Sequence, residues 1–398
     1  MRLTGAVGSI QWQSSANGSS WTAISGATSA TYTATNLTSS IYYRARVKSG
    51  VCDSLFSNVV KVTVNPASVA GTLSGSATVC TGTNTTTLTL SGSVGTIRWE
   101  SSANNTSFDP IADSVRAALV VNNLTATTYY RAVVKSGVCA AVNSSSATIT
   151  VSPATVAGTA TGDTTVCASS NTSVLTLNGA VGSIQWQVSS DSLIFTAISG
   201  ATNTTYSATG LTATRYYRAR VKSGMCDSLF SNVVTVTVNP ATVGGNLSGS
   251  QTVCSGVNST TFILSGRVGN VIKWQSSTAS NFSTADDIAV TADTLTVANL
   301  TATTYYRALV KSGVCAVANS GTGTVTVNPG SVGGTLRGDT TVCTGSNSSA
   351  LTLSGNVGTV VKWQWSGVSD FSSGINDIAN TSTSYTATGL TATRYFRA

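Results

Sequence analysis

A repeat of about 87 residues constrains the fold of this chain more than any other feature of its sequence. One tryptophan recurs in each period, within a short strand-like segment. These tryptophans are Trp12, Trp99, Trp186, Trp274 and Trp363. A chain of this kind is expected to fold as a row of similar units, each in contact only with its neighbours.

Prolines that close segments rich in Val and Thr mark the boundaries between the units. They are Pro66, Pro153, Pro240 and Pro329. The spacing predicts three complete modules at 66–152, 153–239 and 240–328, between partial modules at 1–65, without its opening strands, and 329–398, without its closing strands. It predicts that the chain is a piece of a longer protein. The first and third modules share Gly-Ser-Ile-Gln-Trp-Gln, which indicates duplication of a two-module unit.

Within each module, apolar residues alternate with polar ones. In the third module, for example, Leu175 and Leu177 alternate with Thr and Asn, and Gly, Asn, Ser and Asp lie between such runs. A period of two predicts strands with one buried face. Seven or so short strands per module predict an all-β chain of tandem immunoglobulin-like β-sandwich modules, arranged as an elongated rod. Trp186 and Tyr217 are expected in the core, and Tyr217 resembles a tyrosine corner.

The composition argues against catalysis. The chain has no His, and Glu100 is its only Glu. Most hydrolases and transferases move protons with His or paired carboxylates near neutral pH. Without His or a Cys-x-x-Cys pair, zinc also lacks its usual ligands. We therefore predict no enzyme activity, no metal site and no cofactor.

The formal charge of +8 is spread over the modules. A nucleic-acid groove needs a concentrated basic stripe, so no nucleic-acid partner is expected. No apolar run approaches the roughly 20 residues that span a bilayer, so no membrane insertion is expected in this segment. The expected partners are neighbouring modules of the same longer chain, and an external surface or polysaccharide.

Each complete module carries one cysteine before its second buried strand and one after Tyr-Tyr-Arg-Ala, and each partial module carries one of the two. Regular, even cysteines indicate an oxidising compartment. Pairing within modules joins Cys80–Cys139, Cys167–Cys226 and Cys254–Cys315, and leaves Cys52 and Cys343 with partners outside the segment. Pairing between modules joins Cys52–Cys80, Cys139–Cys167, Cys226–Cys254 and Cys315–Cys343. We favour the first, because each module then folds alone, with a bridge between two loops at one end of the sandwich.

Several strings together resemble a known family. They are Gly-Ser-Gln-Thr-Val-Cys-Ser-Gly, Ile-Lys-Trp-Gln-Ser-Ser, Leu-Thr-Ala-Thr-Thr-Tyr-Tyr-Arg-Ala and Val-Thr-Val-Asn-Pro. They look like the immunoglobulin-like repeats of giant Bacteroidota cell-surface adhesins, such as SprB-type gliding-motility adhesins and other type IX-secreted repeat proteins. The resemblance implies an extracellular, outer-membrane-attached filament that mediates surface attachment and gliding motility.

An Asp-Ser or Asp-Thr motif recurs and resembles the O-glycosylation acceptor motif of Bacteroidota. The candidate hydroxyls are Ser54, Ser114, Thr164, Ser192, Ser228, Thr294 and Thr340. Ordinary turn chemistry explains the same motif equally well.

Three functions remain open at this point. The first is a structural and adhesive stalk. The second is a module that binds a glycan or protein through its end loops, where Trp21 or Trp365 would stack on a sugar. The third is an extracellular polymer in which neighbouring copies complete each other's sandwiches by strand addition.

Overall fold

The computed structural model describes all 398 residues and contains strands and turns but no helix. It therefore has no helix that could cross a membrane. We use the predicted boundaries as names for the first to fifth modules. The first module contains β1 (Ser9–Ser15), β2 (Thr22–Ala23), β3 (Ile41–Lys48), β4 (Leu55–Phe56) and β5 (Val60–Val62).

Each complete module has nine strands in the same order. The second contains β6 (Thr72–Ser74), β7 (Ala77–Cys80), β8 (Thr85–Ser91), β9 (Thr96–Ser102), β10 (Asp109–Pro110), β11 (Ala118–Asn122), β12 (Thr128–Lys135), β13 (Val142–Asn143) and β14 (Ala147–Ser152). The third contains β15 (Thr159–Thr161), β16 (Thr164–Cys167), β17 (Thr172–Asn178), β18 (Ser183–Ser189), β19 (Thr196–Ala197), β20 (Thr205–Thr209), β21 (Arg215–Lys222), β22 (Leu229–Phe230) and β23 (Val234–Asn239).

The last two modules continue the pattern. The fourth contains β24 (Asn246–Ser248), β25 (Gln251–Cys254), β26 (Ser259–Ser265), β27 (Asn270–Ser277), β28 (Asp286–Ile288), β29 (Thr294–Ala298), β30 (Thr304–Lys311), β31 (Ala318–Asn319) and β32 (Gly323–Asn328). The fifth contains β33 (Thr335–Arg337), β34 (Ser348–Ser354), β35 (Trp363–Ser366), β36 (Asn376–Ile378), β37 (Ser384–Thr388) and β38 (Tyr395–Arg397).

Two sheets face each other in every complete module. In the third, a six-stranded sheet in the order β16-β23-β21-β18-β19, with β22 on β21, packs on the three-stranded sheet β15-β17-β20. Trp186, Leu175, Val221 and Val234 are fully buried between the sheets. Burial of each such side chain contributes about 1.5–3 kcal/mol. The all-β, immunoglobulin-like sandwich predicted from the alternation of apolar residues is confirmed.

The only polar side-chain atom of the core tryptophan is hydrogen-bonded, because the indole nitrogen of Trp186 donates to the carbonyl oxygen of Asn203 at 3.0 Å. Tyr217 is buried as expected, and its ring centroid lies 5.8 Å from that of Tyr206. Its hydroxyl makes no hydrogen bond within the protein, so the expected tyrosine corner is wrong. Burial, reinforced by Tyr206, raises the pKa of Tyr217 to about 12.

The second strand of each complete module changes sheets. β15 pairs with β17 in the small sheet, whereas β16 runs parallel to the last strand, β23, in the large sheet. Gly162 lies between β15 and β16 with φ at 125°, and a Cβ there would come 2.8 Å from the Val174 carbonyl oxygen. A glycine is therefore needed at this bend. The parallel pairing brings Cys167 opposite Asn239, at the end of the module that adjoins the next one.

Candidate functional site at the module junctions

Two disulfides cross the boundaries between modules. Cys80 in the second module bonds to Cys226 in the third, with their Cα atoms 4.8 Å apart. Cys167 in the third bonds to Cys315 in the fourth, at 5.0 Å. Each bond joins the end of the second strand in one module to the turn after the seventh strand in the next. Four cysteines are free, namely Cys52, Cys139, Cys254 and Cys343.

Both sequence-based pairing schemes are therefore wrong, and strand direction is the reason. β7 runs parallel to β14, so Cys80 lies beside Ser152 at the far end of the second module. Cys139 follows β12, which runs the opposite way and ends at the near end. An eight-residue strand spans about 26 Å, so Cys80 and Cys139 lie at opposite ends of one sandwich.

The alternative scheme fails by a larger distance. It would join Cys139, at the near end of the second module, to Cys167, at the far end of the third. Those two positions are separated by about two module lengths, far beyond the roughly 7 Å that a disulfide can bridge between Cα atoms. Only the far end of one module and the near end of the next place two cysteines together.

The turn that carries Cys226 packs directly on the junction between the second and third modules. The sulfur of Cys226 lies 3.2 Å from the carbonyl oxygen of Pro153. The backbone N–H of Ser223 donates to the Thr155 hydroxyl at 3.0 Å. Gly224 has φ at 49°, and a Cβ on it would collide with the Ser152 side chain. The junction is therefore built from the turn of one module and the connecting segment that precedes it.

The same arrangement recurs between the first and second modules and between the third and fourth. The backbone N–H groups of Ser136 and Ser312 donate to the hydroxyls of Ser68 and Thr242, at 2.9 and 3.1 Å. The sulfur of Cys315 lies 3.3 Å from the carbonyl oxygen of Pro240. The free Cys139 occupies the equivalent place, because its thiol donates to the Pro66 carbonyl oxygen at 3.4 Å. The junction geometry is thus present with or without the disulfide.

An asparagine that sequence reasoning did not single out holds each second-strand cysteine in place. The amide nitrogen of Asn171 donates to the carbonyl oxygens of Cys167 and Leu211, at 2.7 and 2.8 Å. Its amide oxygen accepts from the Leu211 N–H at 2.9 Å. Equivalent bonds are made by Asn84, Asn258 and Asn347. The recurrence of Asn four residues after Cys was the signal available in the sequence.

A second recurring cluster lies on the outer face of the large sheet. The Arg218 guanidinium lies between the rings of Phe195 and Phe230, 4.1 and 4.0 Å from their centroids. Its Nε donates to the Gln187 amide oxygen at 2.9 Å. Stacking of this kind contributes about 0.5–1 kcal/mol at exposed sites. The arginines of the other Tyr-Tyr-Arg-Ala strings, Arg44, Arg131 and Arg307, make the same type of contact.

The two tryptophans considered for sugar stacking belong to such clusters. Arg44 covers the Trp21 ring at 4.3 Å and also the Phe56 ring at 3.8 Å. Arg394 covers the Trp365 ring at 3.3 Å. One face of each indole is therefore already occupied by a guanidinium of the same module.

The only glutamate has a structural position. Glu100 is 5% exposed and forms ion pairs with Arg98 at 2.5 Å and Arg131 at 2.8 Å. It replaces the glutamine that stands at this strand position in the other modules, such as Gln187, and it accepts from the same strand arginine. No group of three His, Cys, Asp or Glu side chains is placed to hold a metal ion.

The candidate glycosylation hydroxyls differ in accessibility. Thr164, Ser192, Thr294 and Thr340 are exposed, whereas Ser54, Ser114 and Ser228 are half-buried. The Ser114 hydroxyl donates to the Ile111 carbonyl oxygen at 2.7 Å. Beside Ser192, the Asp191 carboxylate accepts from the Leu193 and Ile194 N–H groups and the Ser189 hydroxyl, which lowers its pKa to about 2. The modification itself remains a prediction.

A family model described as "Domain of unknown function (DUF8696)" matches the chain five times, at residues 1–66, 69–153, 156–240, 243–329 and 332–398. No curated protein matches the chain. Among solved structures, a variant of titin domains I67-I69 is 11% identical over 65% of this chain and 100% of its own, with a TM-score of 0.44. Sidekick-1 immunoglobulin domains 1–5 are 12% identical over 96% of this chain and 86% of theirs, with a TM-score of 0.28. Domains 3–5 of Drosophila OTK are 11% identical over 67% of this chain and 100% of theirs, with a TM-score of 0.30.

Proposed function

This chain belongs to the family described as "Domain of unknown function (DUF8696)", in five successive copies, and we propose that it is a stalk segment of an extracellular, filamentous adhesin. The observation that carries the proposal is the pair of disulfides that join neighbouring modules, Cys80–Cys226 and Cys167–Cys315. Disulfides of this kind persist in oxidising environments outside the cytosol. They hold modules in a fixed succession, which is what a spacer requires and a catalyst does not.

The junctions support a stiff rod. β23 ends at Asn239 and β24 begins at Asn246, so no long linker separates the modules. The second and third modules, and the third and fourth, are connected both by the backbone and by a disulfide. Two connections at different points of the contact oppose bending more than one does. We propose that modules end and begin at the prolines, with the boundaries given above.

Attachment to an outer membrane, type IX secretion and a role in gliding motility form the finer part of this proposal. They are supported by the resemblance of the repeat strings to Bacteroidota adhesins. The alternative of a glycan- or protein-binding module has less support, because arginines cover Trp21 and Trp365. The lesser alternative is strand addition between copies.

Small-angle X-ray scattering of the oxidised chain tests the stalk proposal. A rod of five modules at roughly 35 Å each has a radius of gyration of about 50 Å. A compact chain of this length would give about 21 Å. The matched control replaces Cys226 and Cys315 by Ser, which removes both disulfides and leaves the backbone junctions. We expect the control to keep its circular dichroism spectrum and to show a broader pair-distance distribution.

Two results would contradict the stalk. A radius of gyration near the compact value would show that the modules fold back on one another. Identical distance distributions for the native chain and the double serine variant would show that the disulfides do not stiffen the junctions.

A further inference from the structure

We propose that the junction disulfides splice short extended segments into two covalent ties that run along the array and prevent it from lengthening when modules unfold. This inference rests on the proposed stalk function and gives that stalk a mechanical property. The inference depends on which end of each module carries each bonded cysteine, and not on the number of disulfides.

The first step is the path of the backbone between two neighbouring bonded positions. From Cys226 the chain passes through β22 into β23, which ends at Asn239 beside Cys167 at the far end of the third module. It then crosses the junction and follows β24 and β25 to Cys254, at the far end of the fourth module. The segment from Cys226 to Cys254 therefore spans two complete modules in mostly extended conformation.

The second step is the disulfide bond that joins two such segments. The segment from Cys52 to Cys80 has the same design, because it runs along β5, β6 and β7. The Cys80–Cys226 disulfide joins the end of this segment to the beginning of the segment that ends at Cys254. The first tie therefore passes from the first module to the fourth and bypasses the 146-residue stretch between the bonded cysteines.

A second tie is displaced by one module. It runs from Cys139 to Cys167, crosses the disulfide to Cys315, and continues to Cys343. Its disulfide bypasses a stretch of 148 residues. The free cysteines Cys52, Cys139, Cys254 and Cys343 stand at the ends of the two ties, at positions equivalent to the bonded ones. Any further module of this type would extend both ties by the same rule.

The lengths decide the mechanical consequence. At ~3.4 Å per residue, the segment from Cys226 to Cys254 reaches about 95 Å when fully stretched. Two folded modules occupy about 70 Å at roughly 35 Å each. The tie is therefore close to its full length before any module unfolds. Without the disulfide, complete unfolding between Cys80 and Cys226 would release about 500 Å of chain.

The strands that form most of each core lie off the path of the ties. In the third module the stretch from β17 to β21 is enclosed between Cys167 and Cys226. When these strands unfold, they form a loop beside the tie and add no length to it. A load applied along the array is then carried by covalent bonds through the last and first strands of successive modules.

Single-molecule force spectroscopy tests this directly, with handles attached through maleimides to the exposed free thiols of Cys52 and Cys254. The parent variant carries Cys139→Ser and Cys343→Ser, so that only these two thiols react. After complete unfolding, the oxidised chain is expected to reach about 200 Å between the handles. The further changes Cys80→Ser and Cys226→Ser should raise this to about 600 Å, because the remaining Cys167–Cys315 bond then sets the shortest covalent path between the handles.

The second disulfide provides the matched control. The changes Cys167→Ser and Cys315→Ser remove a bond that is not on the tie between the handles, so the limit should stay near 200 Å. Reduction of the parent variant with dithiothreitol during pulling should produce the long extension without any substitution at the junction, which excludes a folding defect as its cause.

An oxidised parent variant that lengthens by hundreds of ångströms would overturn the proposal, as would a short limit that persists after reduction. The stalk proposal is separate from this outcome. A rod in solution that nevertheless extends freely would retain the stalk and reject the ties. A short limit in a chain that is compact in solution would do the reverse.

Discussion

Gly224 is the position at which backbone conformation, junction packing and disulfide formation can be tested together. Its φ of 49° lies in the left-handed region, and a Cβ would collide with the side chain of Ser152 in the preceding module. Gly200 is also left-handed, with φ at 73°, but a Cβ there meets nothing within 4 Å. The two glycines therefore separate the cost of the backbone conformation from the cost of the junction contact.

Both Gly224→Ala and Gly200→Ala should lower the free energy of unfolding of the third module by about 1–2 kcal/mol, because each places a Cβ in the left-handed region. Only Gly224→Ala should also push the Cys226 turn away from Ser152. The Cys80–Cys226 disulfide should then be less tightly packed and easier to reduce. Urea denaturation measures the first effect. The rate at which dithiothreitol reduces this disulfide, followed by mass mapping of the cysteine peptides, measures the second.

We expect faster reduction in Gly224→Ala than in Gly200→Ala. Ser152→Gly, which removes the side chain that the new Cβ would meet, should restore the slow rate in the double variant without restoring the backbone cost. Equal reduction rates in Gly224→Ala and Gly200→Ala would refute the reasoning, because the collision with Ser152 would then have no effect on the junction.

Two further predictions concern single modules. Asn171→Ala removes three hydrogen bonds at the base of the second strand and should lower the unfolding free energy by about 1–3 kcal/mol in urea; Asn178→Ala, at an exposed strand end, is the control and should change it little. The folded pKa of Tyr217, about 12, lies above the ordinary tyrosine value of 10.0. The contribution of the neutral phenol to stability is therefore complete below pH 10 and is lost as the pH rises toward 12. In a variant with the four free cysteines replaced by Ser, Tyr217→Phe should flatten this loss, and an unchanged alkaline profile would contradict the assigned burial effect.

The sequence allowed the sandwich to be predicted because burial leaves a local mark. Trp186, Leu175 and Leu177 alternate with polar neighbours, and each is buried between the sheets. The repeat of the tryptophans then carried the prediction from one module to all five. Neither inference needed a contact between residues distant along the chain.

The disulfide pairing could not be predicted in the same way, because it depends on which end of a module each cysteine reaches. The decisive fact is that β16 runs parallel to β23, a pairing between strands about 70 residues apart. Thr165 and Val166 show the alternation of a strand, but not the direction of its partner. The stacking of Arg218 between Phe195 and Phe230 was missed for a related reason, since the three residues come from different strands and turns.

The parallel second strand also sets the order in which the protein can mature. Cys80 is synthesised 146 residues before Cys226 and long before its partner can be presented. Cys139 is nearer along the chain and would be the first available wrong partner, but a folded second module holds it at the opposite end of the sandwich. Each folded sandwich therefore prevents its own two cysteines from pairing with each other. The correct disulfide can form only after the following module has folded.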